Sequence, residues 1–235
     1  MPKKESDVKL IDWYKKIPKK YILKTHNPHY ERHHIKLPMR MIIAGNSGSG
    51  KTQTLLNLLH IMPDTFSKVF IITKNADEPL YNYLNDKYKE EGISVKEGLE
   101  NLVDLDTLNK DENNLVILDD LVNESAKAQK PVCDFAIRCR KKNCSLIYIS
   151  QSYYQVPKLI RDNINYLILK QVSSMKNLTM ICRECSLGID KKQLKEIYDD
   201  ATDTKQSFLL IDLEGNKDCR FRKNWDEIYE VEDVM

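Results

Sequence analysis

Glycine is scarce in this chain, with seven in 235 residues, and three of the seven fall at positions 45, 48 and 50. Long apolar runs are missing too. No stretch approaches eighteen consecutive apolar residues, which excludes a membrane-spanning helix by sequence. The opening MPKKESDVKLIDWYKK is charged and carries no apolar stretch, so no secretory signal is expected there. Excess charge of one sign is also lacking. Lys+Arg number 37 and Asp+Glu 35, a formal net charge of +2, which does not announce a nucleic-acid binder. The six cysteines follow no framework spacing and read as reduced thiols of an intracellular protein.

What is present is a folded composition: 41% hydrophobic and 31% charged residues. Charge is unevenly placed. Residues 1–40 hold eleven Lys/Arg against four Asp/Glu, while residues 211–235 hold four against eight. Residues 1–37 read as a basic N-terminal arm with little periodicity. Residues 38–235 read as one α/β core. Its predicted strands are 40–44 (RMIIA), 68–73 (KVFIIT), 115–118 (LVIL), 146–150 (LIYIS), 166–169 (YLIL) and 208–212 (FLLID). Such near-continuous apolar runs suit strands buried on both faces. Helical patterns at 51–62, 78–89, 131–142, 175–185 and 191–199 alternate with them. That alternation predicts a mostly parallel central sheet flanked by helices. The tail, 208–212 and 219–222 around Gly215, predicts a terminal β-hairpin.

Gly45-Asn46-Ser47-Gly48-Ser49-Gly50-Lys51-Thr52 fits G-x-x-x-x-G-K-S/T between a predicted strand and a predicted helix. Gly45 and Gly50 are expected to take backbone angles that a β-carbon forbids. The loop amides then converge on an anion at the positive end of the helix dipole. Lys51 would meet the β- and γ-phosphates of a nucleotide, and Thr52 would offer a hydroxyl to Mg²⁺. At average glycine use the pattern arises by chance in roughly one chain of this length in a hundred, and this chain is poorer in glycine than average.

The strand at 115–118 ends in Asp119 and Asp120. Beside a phosphate loop, a strand-tip Asp holds Mg²⁺ through water, which assigns Asp119; Asp120 would orient or deprotonate the attacking water. The strand at 146–150 is expected to lie between the loop strand and the acidic strand. It delivers Gln151 to the γ-phosphate region.

GNSGSGKT, LVILDD and IYISQS, followed by Val156-Pro157 and Ile160-Arg161-Asp162-Asn163, resemble the FtsK–HerA superfamily. Within it they are most similar to the genome-packaging ATPases of poxviruses, giant DNA viruses and virophages. The resemblance covers residues 39–185. It implies a RecA/ASCE-like P-loop NTPase fold and an ATP- and Mg²⁺-dependent motor that pumps double-stranded DNA into a capsid. It also implies a homo-oligomeric ring, capsid or portal-vertex partners, and a place in the host cytoplasm, in the viral factory and in the virion, without membrane insertion. Members use an arginine that reaches a neighbour's ATP site. The resemblance carries that role to Arg140, with Arg138 second and Arg161 as a further candidate. A Glu stands where Asp120 stands in many members. Neither the DNA-reading domain of the bacterial division translocases nor the barrel of the archaeal relatives is expected. A cellular or plasmid translocase, a nucleotide kinase and a non-hydrolysing nucleotide-binding module remain as alternatives.

Candidate DNA contacts are Lys15, Lys16, Lys19 and Lys20 in the arm and the basic segment 138–142. Cys182 and Cys185 have metal-ligand spacing but lack a second pair, so they read as ordinary thiols. Tyr153 and Tyr154 read as packing or loop residues.

Overall fold

The computed structural model describes residues 10–231, apart from Lys89, Glu91, Ser173 and Ser186. The first nine residues of the predicted arm, the Lys89 end of the second predicted helix and the last four residues of the core lie outside the described residues.

In chain order the elements are α1 (Tyr30–His33), β1 (Arg40–Ala44), α2 (Lys51–Ile61), β2 (Lys68–Thr73), α3 (Pro79–Tyr88), β3 (Ile93–Glu97), β4 (Asn114–Asp119), α4 (Ala126–Arg138), β5 (Cys144–Ser150), α5 (Lys158–Arg161), β6 (Tyr166–Leu169), α6 (Met175–Glu184), α7 (Lys191–Ala201), β7 (Leu209–Asp212), β8 (Phe221–Lys223) and β9 (Glu227–Ile228). Among the described residues the strands form one sheet in the order β3-β2-β4-β5-β1-β6-β7-β8-β9. From β3 to β6 all neighbours are parallel. From β6 to β9 all are antiparallel. The predicted hairpin is therefore real, and it extends the central sheet.

Period-two alternation divides each central strand between two cores. Ile42, Val116, Tyr148 and Leu167 face one side, where α4, α6 and α7 supply Val132, Phe135, Ile181 and Leu194. Met41, Leu115, Ile147 and Ile168 face the other, where α2 and α3 supply Leu55, Leu58, Tyr81 and Leu84.

Beyond shifts of one or two residues at several ends, the larger differences from the sequence expectation are at β3 and α4. β3 was not expected: its residues are half-buried or exposed, as an edge strand allows, so no continuous apolar run marks it. α4 starts at Ala126 rather than 131, because Ser125 caps it by accepting from the Ala128 amide at 3.2 Å. Pro131 lies inside that helix, near enough to its start to remove a single internal hydrogen bond. The expected end at 142 is a 3₁₀ turn, Cys139–Lys142, closed by Asn143 in the left-handed region at φ +52°.

The stretch read as an arm divides in two. Leu10, Trp13, Tyr14 and Tyr21 are exposed. Farther on, the chain is tied down. The Asn143 side-chain amide donates to Lys24 O at 3.1 Å, Lys36 N donates to Tyr166 Oη at 2.9 Å, and Ile35 is fully buried in the second core.

Candidate functional site: a phosphate loop and two strand tips

The sheet order places the tips of β4, β5 and β1 side by side, and all three are C-terminal ends. β5 lies between the other two, as expected. Hydrogen bonds lock the row: Gly45 N donates to Ser150 O at 3.1 Å, and Asp120 N to Ile149 O at 3.2 Å.

The loop from Gly45 to Gly50 leads straight into α2. Gly50 has φ +87°, so its expected positive angle is present. Gly45 does not share it. Its need is space: a β-carbon there would sit 2.5 Å from Lys170 Cβ and 2.7 Å from Ser49 Oγ. The sequence expectation for Gly45 is corrected on that point. Lys51 Nζ donates to Gly45 O and Asn46 O, both at 2.9 Å, which holds the ammonium over the loop. Burial lowers its pKa, and the charges of Asp119, Asp120 and Glu78 oppose that fall.

Asp119 is the last residue of β4 and is 8% exposed. Burial raises its pKa to about 6, against the hydrogen bond from Tyr81. That bond is short: Tyr81 Oη donates to Asp119 Oδ2 at 2.6 Å. The Thr52 side chain lies near the same phenol and weakly opposes the rise in its pKa that burial and Asp119 cause. Thr52 and Asp119 thus share one fully buried tyrosine from α3. A hydroxyl and a buried carboxylate brought this close are hard oxygen donors, and they fit Mg²⁺.

Asp120 has φ +55°, a left-handed conformation that Asp tolerates better than most residues. It turns the carboxylate toward β5. Gln151 Nε2 meets Asp120 Oδ1 at 3.3 Å and Oδ2 at 3.4 Å. Lys51, Thr52, Asp119, Asp120 and Gln151 are therefore one cluster. A cleft of about 420 Å³ opens beside them, lined by Gly48, Gly50, Lys51, Thr52, Lys205 and Gln206 among others. That volume is in the range of small-molecule sites.

The three candidate arginines lie elsewhere. Arg138 and Arg140 precede β5, at the opposite end of the sheet from the phosphate loop. Arg138 pairs with Asp106 at 3.4 Å, and Arg140 is exposed. Arg161 is engaged within its own chain. Its Nε and Nη2 each donate to Glu184 at 2.8 Å, and its guanidinium lies 5.4 Å from the centre of the Tyr153 ring. Tyr153 is buried and Tyr154 lies under Lys176. Among the described residues all six cysteines are free, and no group of three or more His, Cys, Asp or Glu residues is arranged to hold a metal ion.

Sequence reasoning missed Tyr81, Glu78 and Lys170. Tyr81 has helical spacing to Leu84 and looks like core. Lys170 did carry a signal, since it follows the YLIL run directly and so marks the tip of the strand next to β1.

A parallel sheet with a phosphate loop after β1, an acidic tip on β4 and an intervening strand ending in Gln defines a P-loop NTPase fold of the additional-strand kind. The sequence pattern of the family described as Poxvirus A32 protein matches residues 27–215, and the chain belongs to that family. DNA packaging protein OPG160 of Variola virus is 29% identical over 142 residues, 56% of this chain and 53% of the relative. The Monkeypox virus counterpart is 29% identical over 142 residues, 47% of its own length. The chain spans about half the length of these relatives. Among solved structures, B204, the DNA-packaging ATPase from Sulfolobus turreted icosahedral virus, superimposes with a TM-score of 0.56 at 15% identity, over 83% of this chain and all of that one. The AMPPCP complex of B204 from Sulfolobus turreted icosahedral virus 2 gives 0.55 at 15% identity, over 80% and 98%. At these identities the likeness is one of fold. Among the described residues no helix is long and apolar enough to cross a membrane.

Proposed function

We propose that this chain hydrolyses ATP and uses the energy to move double-stranded DNA into a viral capsid. The observation that carries the reading is the contact of Gln151 with Asp120 beside Lys51, in a chain of the A32 family. In this reading the loop amides and Lys51 bind the triphosphate. Thr52, and Asp119 through water, hold Mg²⁺, which neutralises charge on the β- and γ-phosphates when bound. Asp120 accepts a proton from the attacking water, and Gln151 fixes the direction of that carboxylate. Asp is shorter than Glu, and the left-handed backbone at Asp120 accompanies its contact with Gln151.

The active form is a homo-oligomeric ring in which Arg140 serves a neighbour's site. Arg140 is exposed and far from its own phosphate loop, so a neighbouring copy is its available target. Arg suits the role because its planar fork stays charged and matches phosphate oxygens. DNA meets the basic segment 138–142 and the arm lysines. Capsid or portal-vertex proteins seat the ring, in the viral factory of the host cytoplasm and in the virion. The test is ATP turnover with and without duplex DNA across a salt series. The expected result is stimulation by DNA that fades as salt rises. Turnover indifferent to DNA at low salt would contradict the motor.

A further inference from the structure

β6 ends at Leu169, and Lys170 follows it beside the phosphate loop. Its backbone N donates to Ala44 O at 2.8 Å. Its side chain runs inward and is 1% exposed. Nζ donates to Lys205 O at 2.8 Å and to Gln206 O and Ser207 O at 2.9 Å each. Three ammonium hydrogens meet three carbonyls, and no carboxylate takes part. Burial lowers the pKa to about 8. A buried cation without a counter-ion is costly, and an apolar side chain would fill the space at less cost. Its presence calls for a geometric reason.

Lys170 joins two segments that line one cleft. On one side is the phosphate loop, where Gly45 leaves room for Lys170 Cβ and a β-carbon on Gly50 would lie 3.4 Å from Lys205 O. On the other side is the loop 203–207. Gln171 makes a second link: its carbonyl accepts from Asn46 N at 2.9 Å, and its side-chain amide donates to Thr202 O at 3.0 Å. The loop is also tied internally, with Thr204 N donating to Ser207 Oγ at 3.1 Å and Ser207 Oγ to Asp203 Oδ1 at 3.0 Å. Lys205 and Gln206 stand on this braced loop and line the cleft together with Lys51 and Thr52.

The sheet order supplies a direction. The tips of β4 and β5, with Asp119, Asp120 and Gln151, fix the γ-phosphate end. Crossing β1 and moving away from them leads to β6 and to the loop that precedes β7. We propose that the 203–207 loop is the wall for the ribose and base of the bound nucleoside triphosphate, and that Lys170 is the positioning residue that sets this wall against the phosphate loop. The inference rests on the nucleotide reading of the cleft and adds the nucleoside half of the site. Lys205 and Gln206 offer donors and an amide acceptor suited to ribose hydroxyls and a base edge.

The test compares binding of ATP with binding of inorganic tripolyphosphate, which has no nucleoside, to the full chain in Mg²⁺. Lys170→Met keeps the β-carbon that packs on Gly45 and removes the ammonium. Its expected result is a loss of ATP affinity of about tenfold, the effect of one or two hydrogen bonds, with tripolyphosphate affinity held within about twofold. KM for ATP rises while kcat stays. The double variant Lys205→Ala with Gln206→Ala, both on the surface, gives the same split and keeps the test sound if Lys170→Met fails to fold. Equal losses for both ligands, or no loss for either, would overturn the inference while leaving the nucleotide site intact. A wild-type chain that binds neither ligand would overturn the nucleotide reading itself.

Discussion

Tyr81 is the residue whose role was least visible in the sequence and most direct in the structure. Its phenol donates to Asp119 on β4 and lies near Thr52 on α2, the two side chains suited to Mg²⁺. Groups that orient metal ligands affect metal affinity by about 10- to 100-fold when removed. Tyr81→Phe keeps the ring in the core and removes only the hydroxyl. The Mg²⁺ concentration for half-maximal nucleotide binding is expected to rise about tenfold, at the lower end of that range. An unchanged Mg²⁺ titration would show that Asp119 holds its position without the phenol. His33 is a second residue with a measurable signature. It is fully buried, Nδ1 accepts from Ile35 N at 3.0 Å, and burial lowers its pKa to about 4. The unfolded chain keeps the ordinary value of 6.5 and binds the proton first. Stability contributed by neutral His33 is therefore complete above about pH 6.5 and lost as pH falls toward 4. Denaturant midpoints across that window should fall with pH in the wild type and less steeply in His33→Asn, which keeps an acceptor and cannot titrate there.

At the scale of elements, the strands were legible where both faces are covered. The bounds of β1, β2 and β6 coincide with those expected, because the centre of each is an apolar run covered on both faces. β3 escaped for the opposite reason: as the outer strand it needs none of its residues fully buried, and none is. The tips were legible for a related reason. A polar residue directly after an apolar strand, as in Asp119, Asp120 and Gln151, has few reasons to be there besides chemistry or a turn. Tyr81 was hidden because a tyrosine at helical spacing satisfies the core whether or not its hydroxyl has work. Arg161 shows what a local pattern leaves out. Its sequence neighbourhood made it a candidate finger, yet its side chain is 7% exposed and ties α5 to Glu184 on α6. Glu184→Gln weakens two of the guanidinium's bonds and leaves those from Nη1 to Tyr154 O and Val156 O. The expected outcome is a loss of about 2 kcal/mol of stability, somewhat below the cost of deleting one partner of a buried pair, with nucleotide affinity unchanged. A large change in affinity without a stability loss would instead tie Arg161 to the nucleotide.

In the molecule as a whole, one end of the sheet carries the phosphate loop and the acidic tip of β4, and the other carries the basic segment 138–142. Near-neutral total charge is compatible with the proposed DNA contact, because a ring of the proposed kind would concentrate local charge on one surface. In the proposed function, Lys51, Asp119, Asp120 and Gln151 surround one magnesium triphosphate and hydrolyse it. The most direct measurement is ATP binding and ATP turnover on the same preparations of wild type, Lys51→Ala and Asp120→Asn. The account predicts that Lys51→Ala loses both. Asp120→Asn binds ATP as the wild type does and loses turnover by about 10²–10⁴-fold, the range for a removed general base. Turnover by Asp120→Asn at the wild-type rate would contradict it.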